Sequence, residues 1–263
     1  MRILYNEIKR IFHHHYIGLI IMLVISIIIM TSYNIVYANR DTINQSIQNV
    51  DNNILNIFDI NKDLFTSVDG YYIFTIKILE IIYSIYAIIL GSRIASYDLF
   101  KNTKDYLYTK PLKRDRIMIN RIISSSIILF IQSLLVLILS SILFNIFNKH
   151  YDFYILLLSN LSLFIISLIF YSIGLVVGGL SKRYKNIISI SVVIVFIIIH
   201  ILDIYFNLKV LYYLNPFSFF NTNTILTTNT YPYQALLISL FYLVFFMSFG
   251  INIYNSNVNE KSD

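Results

Sequence analysis

The chain contains no cysteine, three prolines and seven glycines in 263 residues, and only 13% of its residues are charged. Without cysteine it has no disulfide framework and no thiolate ligands for a metal, and its redox compartment leaves no mark on the sequence. So few prolines and glycines leave little to divide apolar stretches into short strands and turns. Charge this sparse, set against 57% hydrophobic residues and a mean hydropathy of +0.69, lies well away from a soluble average of about 25% charged. Motifs are missing too. There is no G-x-x-x-x-G-K-[ST] phosphate-binding loop, and no glycine is followed by lysine, so the chain does not cradle nucleotide phosphates in that way. H-E-x-x-H and G-x-S-x-G are likewise absent, which removes two common hydrolase signatures. His13, His14 and His15 are consecutive; on a helix they fan over roughly 200° and do not converge on one ion. The reading is of a chain that is not an enzyme, with no catalytic, cofactor-binding or metal-binding residues and no nucleic-acid partner.

What the sequence does contain is apolar runs of membrane-crossing length. A hydrocarbon layer roughly 30 Å thick needs about 20 residues of helix. Six runs meet that length: 16–36, 71–91, 117–147, 154–180, 187–205 and 233–254. Six such runs cannot share one soluble core, so the expected fold is all-α, a single polytopic membrane domain over residues 1–263. The first run is too long for the apolar part of a cleavable signal, and no small-x-small site follows it. Tyr16, Tyr37, Tyr71, Tyr72, Tyr151, Tyr154, Tyr205, Tyr233 and Tyr254 gather near the run ends, where an interfacial aromatic belt would lie.

Lysine and arginine set the orientation. Arg2, Lys9 and Arg10 precede span one. Arg93, Lys101, Lys104, Lys110, Lys113, Arg114, Arg116 and Arg121 belong to the connection between spans two and three and its flanks. Lys182, Arg183 and Lys185 lie between spans four and five, and Lys261 follows span six. These fifteen fall on one side, against Arg40, Lys62, Lys149 and Lys209 on the other. The bias predicts a multi-pass protein of the cell membrane with both termini in the cytoplasm. Before span one, Leu4, Ile8, Ile11 and Phe12 share a helical face opposite Arg2, Asn6, Lys9, Arg10 and His13. That pattern predicts a basic amphipathic elbow helix over residues 1–15, lying in contact with lipid.

Charge inside the spans is rare and costly, so by default it marks function. Lys77 and Glu80 stand i, i+3 in span two, about 9 and 13 Å in from Tyr71 at 1.5 Å per residue. They read either as a neutralised pair that stabilises the helix or as polar groups on a translocation path or dimer interface. His200 and Asp203 repeat the spacing near the end of span five. Ser126, Ser133 and Ser140 form a stripe of small residues on span three, and Gly174 and Gly178 make a G-x-x-x-G in span four; both permit close helix packing within the chain. Span three is long enough to tilt or protrude, and Arg121 is expected to snorkel to the inner surface. Outside the spans, Ile43, Ile47, Val50, Ile54 and Ile57 continue a helical pattern beyond span one. Within residues 206–232, Pro216 suits the first turn of a short helix capped by Asn215.

The connection Arg93 to Arg116 is too long and too patterned for a plain turn. Leu99, Thr103, Tyr106 and Leu107 fall on one helical face, and Pro111 ends that helix. The order Asp98, Thr103, Leu107, Pro111, Arg114, Ile117 resembles the loop of ABC type-2 exporter permeases, an acid, then Gly-Thr, Leu, Pro-x-x-Arg and Ile leading into the third span. Six spans, an amphipathic N-terminal helix and Asn215-Pro216-Phe217 before the last span are similar too, so the resemblance covers most of the chain. Asp98 stands where the family usually has Glu, and Asn102 where it has Gly. The resemblance implies a coupling helix within residues 93–116 that docks on a separate cytosolic ATPase through Asp98, Thr103, Leu107, Pro111 and Arg114. It also implies a second permease chain, identical or not, and ATP and Mg held by the partner ATPase. The expected function is outward movement of a hydrophobic or amphipathic cargo, peptides among them by analogy with the family. The alternative is a secondary transporter or channel that needs no partner.

Overall fold

The computed structural model describes residues 2–48, 67–100, 114–147, 150–181, 183–206, 209–220, 225, 228, 230 and 233–259. All regular structure among them is helical. Helix α1 (Arg2–Thr31) is followed by α2 (Tyr33–Ala38) and α3 (Arg40–Gln48), then by the long α4 (Val68–Phe100) and α5 (Arg114–Ile146). After these come α6 (Phe153–Leu180), α7 (Lys185–Phe206), the short α8 (Lys209–Leu214), a 3-10 turn (Pro216–Ser218) and α9 (Tyr233–Asn259). Six segments are long and apolar enough to cross a membrane: His15–Ala38, Val68–Ser96, Arg116–Ile146, Phe153–Leu180, Lys185–Phe206 and Tyr233–Ser256. Each overlaps one expected span, with ends that agree to within five residues.

The six spans alternate in direction. Glu7 near the start of α1 meets Arg121 near the start of α5, and Gly179 at the end of α6 lies against Ile253 near the end of α9. One end of the bundle therefore carries the start of α1, the end of α9 and the helix ends that flank residues 101–113. The far end carries α3, the α5–α6 turn and α8. There Asp152 caps α6 through the Tyr154 amide at 2.8 Å, and its own amide donates to Asp69 at the start of α4, at 2.9 Å.

Spans two and four form the centre. In span four 78% of the most apolar stretch is buried, against 11% in span six. Their contact is made by small residues. A Cβ on Gly174 would lie 2.2 Å from the Ile88 carbonyl oxygen, one on Gly178 2.2 Å from that of Ser92, and one on Gly91 2.2 Å from that of Tyr171. Only glycine lets the two backbones approach this closely, as the G-x-x-x-G spacing led one to expect. Span three packs on span one, and its Ser133 and Ser140 are buried and turn their hydroxyls to the Phe130 and Leu137 carbonyls of their own helix. The outward faces of spans one, five and six carry exposed Ile, Leu, Val and Phe, as lipid-facing helices do.

One local expectation is not shown and two are corrected. The elbow helix expected over residues 1–15 is not set off as an element of its own: α1 runs without a break from Arg2 to Thr31. Ile11 on its apolar face is buried, while Phe12 stays exposed. Arg121 does not snorkel to the surface. It is 1% exposed, with its Nε 3.8 Å from Glu7 Oε2, and Glu7 also pairs with Arg10. Tyr71, Tyr72 and Tyr254 turn into the bundle instead of joining a belt. Tyr71 shows why: its hydroxyl donates to the Ile29 carbonyl at 2.6 Å and lies 2.8 Å from Ser32 Oγ, tying span two to span one. Tyr16, Tyr154, Tyr205 and Tyr233 are exposed.

Candidate functional site

The charged pair in span two lies nine residues inside α4, about 13 Å from its start at 1.5 Å per residue. Three groups converge on Lys77. Its Nζ lies 3.3 Å from Glu80 Oε2 and donates to the Phe220 carbonyl at 2.6 Å and the Phe217 carbonyl at 3.4 Å. Glu80 is the deeper member, 1% exposed against 17% for the Lys77 side chain. Its other oxygen, Oε1, accepts from Ser162 Oγ of span four at 2.7 Å. An ammonium that neutralises a carboxylate and also meets carbonyls is how a buried charge is kept at tolerable cost.

Those carbonyls belong to the segment between spans five and six, which folds back against the bundle. Asn215 caps its 3-10 turn by accepting from the Phe217 amide at 3.2 Å, with Pro216 at the first turn position. Phe217, Phe219 and Phe220 are all buried, and Phe217 packs on Phe170 of span four with ring centroids 4.9 Å apart. The side chain of Asn215 also donates to Ser218 Oγ at 3.1 Å.

Ser218 joins His200 and Asp203 of span five. Its hydroxyl donates to Asp203 Oδ2 at 2.8 Å and lies 3.0 Å from His200 Nδ1. A serine hydroxyl has one proton, here directed to Asp203, and two lone pairs, one of which takes the Asn215 amide. The remaining lone pair assigns the proton of that contact to His200 Nδ1, an assignment made from the network. The expected i, i+3 pairing of His200 with Asp203 is thus made through Ser218.

Between spans two and five these groups border a cavity of about 360 Å³. Phe74, Ile78, Ile81 and Ile82 line it from span two, and Ile197 and Ile201 from span five. Lys77, Glu80, His200 and Phe217 complete the lining. The volume falls at the lower end of small-molecule sites, about 300–1,000 Å³. Its walls are apolar, with one charged cluster to fix an orientation.

Of the residues expected at an ATPase interface, Asp98 lies in the last turn of α4 and Arg114 opens α5; Thr103, Leu107 and Pro111 lie outside the described residues. The structure brings together Lys77, Glu80, His200 and Asp203 through partners the sequence did not single out. The Phe217 and Phe220 carbonyls were signalled only indirectly, by the Asn215-Pro216 turn, and Ser162 carried no signal at all. His13 and His15 lie against different aromatic rings, Tyr16 and Tyr86. Among the described residues no group of three or more His, Cys, Asp or Glu is placed to hold a metal ion. No model of a known protein family matches the chain. No curated protein matches it either.

Proposed function

We propose that the chain is the membrane-spanning subunit of an ABC exporter of the type-2 class, moving a hydrophobic or amphipathic cargo outward across the cell membrane. The observation that carries this reading is the ordered set Asp98, Thr103, Leu107, Pro111, Arg114 and Ile117 between spans two and three, in the place and sequence of the family's coupling loop. Two structural features support it. The helices that flank the loop each run to 33 residues, about 50 Å, so both outlast a hydrocarbon layer of roughly 30 Å. The cavity between spans two and five joins apolar walls to a charged cluster, which suits an amphiphile better than a bare ion.

On this reading the N-terminus and the coupling loop lie in the cytoplasm, where the excess of Lys and Arg places them. A partner ATPase holds ATP and Mg, and two permease chains complete the transporter. ATP-driven closure of the ATPase pair moves the coupling helices and, through them, spans two and three. Capture of the tagged chain from native membranes tests the reading. The wild type should bring down, in stoichiometric amount, a protein bearing a G-x-x-x-x-G-K-[ST] loop, and Leu107→Asp should lose it. Undiminished capture by Leu107→Asp, or no such protein with the wild type, would overturn the assignment.

A further inference from the structure

We infer that the cavity between spans two and five binds an anionic amphiphile, a single apolar chain bearing a carboxylate-like head, with Lys77 as the group that receives the head. This deepens the exporter reading, on which only its role as cargo rests; the binding itself is a property of the chain alone.

The sign of the charge follows from what the cavity presents. Glu80 is 1% exposed, with one oxygen taken by Ser162 and the other facing Lys77, so it has little to offer a ligand. Lys77 is the more accessible member at 17%. Its amine is held by one short bond to Phe220, at 2.6 Å, and two longer contacts, 3.3 Å to Glu80 and 3.4 Å to the Phe217 carbonyl. The Phe217 contact is at the limit of hydrogen bonding. An anionic oxygen that replaced it would gain a shorter, charge-assisted bond in surroundings with little water to screen it. A cationic head would meet the ammonium instead. His200 adds no competing donor through Nδ1, whose proton is directed to Ser218.

The apolar chain follows from the walls and the entrance. Ile81 and Ile201 both line the cavity and are exposed at the surface of their spans, 37% and 39%, so the cavity opens sideways between the two helices. A ligand would enter from the apolar layer tail-compatible at every wall and polar at one place only. A hydrophilic anion has no such route, and an uncharged hydrocarbon has no use for Lys77.

Photolabelling of the purified full-length chain with a diazirine-tailed dodecanoate, without any ATPase, tests this. Label should map to peptides covering residues 74–82 or 197–201. Unlabelled dodecanoate should compete about tenfold better than dodecylamine or dodecanol, the value of one charge-assisted bond. Ile201→Trp, which fills the entrance, should lose the labelling. Lys77→Arg should keep the preference for the anion. Lys77→Met paired with Glu80→Gln, which removes both charges without stranding either, should lose it, with folding checked by thermal melting. Equal competition by the amine, label spread evenly over the spans, or an unchanged preference in the folded neutral double variant would overturn the inference. Absence of binding in a chain that still captures its ATPase would refute this inference alone. Intact binding without a captured ATPase would refute the exporter reading alone.

Discussion

At the scale of single residues, the glycines of the central contact set the strictest demand. A methyl on Gly174 would sit 2.2 Å from a backbone oxygen of span two, and a backbone does not step aside as a flexible side chain would. Gly174→Ala should therefore destabilise the chain towards the upper part of the usual over-packing range, about 1–3 kcal/mol. Melting in detergent reads this directly, and a melting temperature equal to wild type would contradict the packing described. Glu7 and Arg121 give a second test. Glu7→Ala removes the carboxylate beside a buried guanidinium and should cost roughly 1–3 kcal/mol, less than a fully buried pair because Glu7 retains some exposure. Replacing both residues with leucine should cost less than Glu7→Ala alone; a larger loss would show that the pair is not what holds Arg121 in place. The sequence revealed one half of each interaction. The G-x-x-x-G marked a close-packing face, but spacing along one helix cannot say which helix it meets. Arg121 read as a snorkelling residue because its partner lies more than a hundred positions earlier, and charge pairing across such a distance leaves no periodic trace.

At the scale of elements, the spans were legible because each depends on length and composition alone, which the bilayer dictates. Residues 209–220 were legible only as a capped turn. That Asn215 and Pro216 would start a short helical turn follows from local chemistry. That the turn would lie against span two, held by Lys77, depends on a contact across 140 positions. The hold is testable. Lys77→Met combined with Glu80→Gln, which leaves no stranded charge in span two, should raise amide hydrogen exchange across 209–220 while leaving spans two and four protected. Unchanged exchange there would mean that the buried Phe217, Phe219 and Phe220 hold the segment without the lysine. The long N-terminal helix carries a different lesson. An amphipathic pattern followed by an apolar run fits two separate helices and one continuous helix equally well, and the structure shows a continuous one.

At the scale of the whole molecule, the described residues form a central pair of helices with apolar-faced spans around it and a cavity that combines a hydrophobic wall with a buried ion pair. The cavity was half legible: Lys77 and Glu80 stood out as intramembrane charge, while its span-five wall follows from helix packing that no local pattern encodes. The 93–116 connection remains the strongest functional signal in the chain, and it is a signal of sequence order. The exporter account joins the two, with a cargo site in the membrane and a docking site for a motor beyond it. The most direct measurement is transport by the chain reconstituted in liposomes with and without the ATPase it captures. The account predicts that ATP drives an amphiphile across the bilayer only when both proteins are present, and that Leu107→Asp abolishes the movement. Equal movement by the chain alone, without ATP, would contradict it and establish the partner-independent transporter or channel instead.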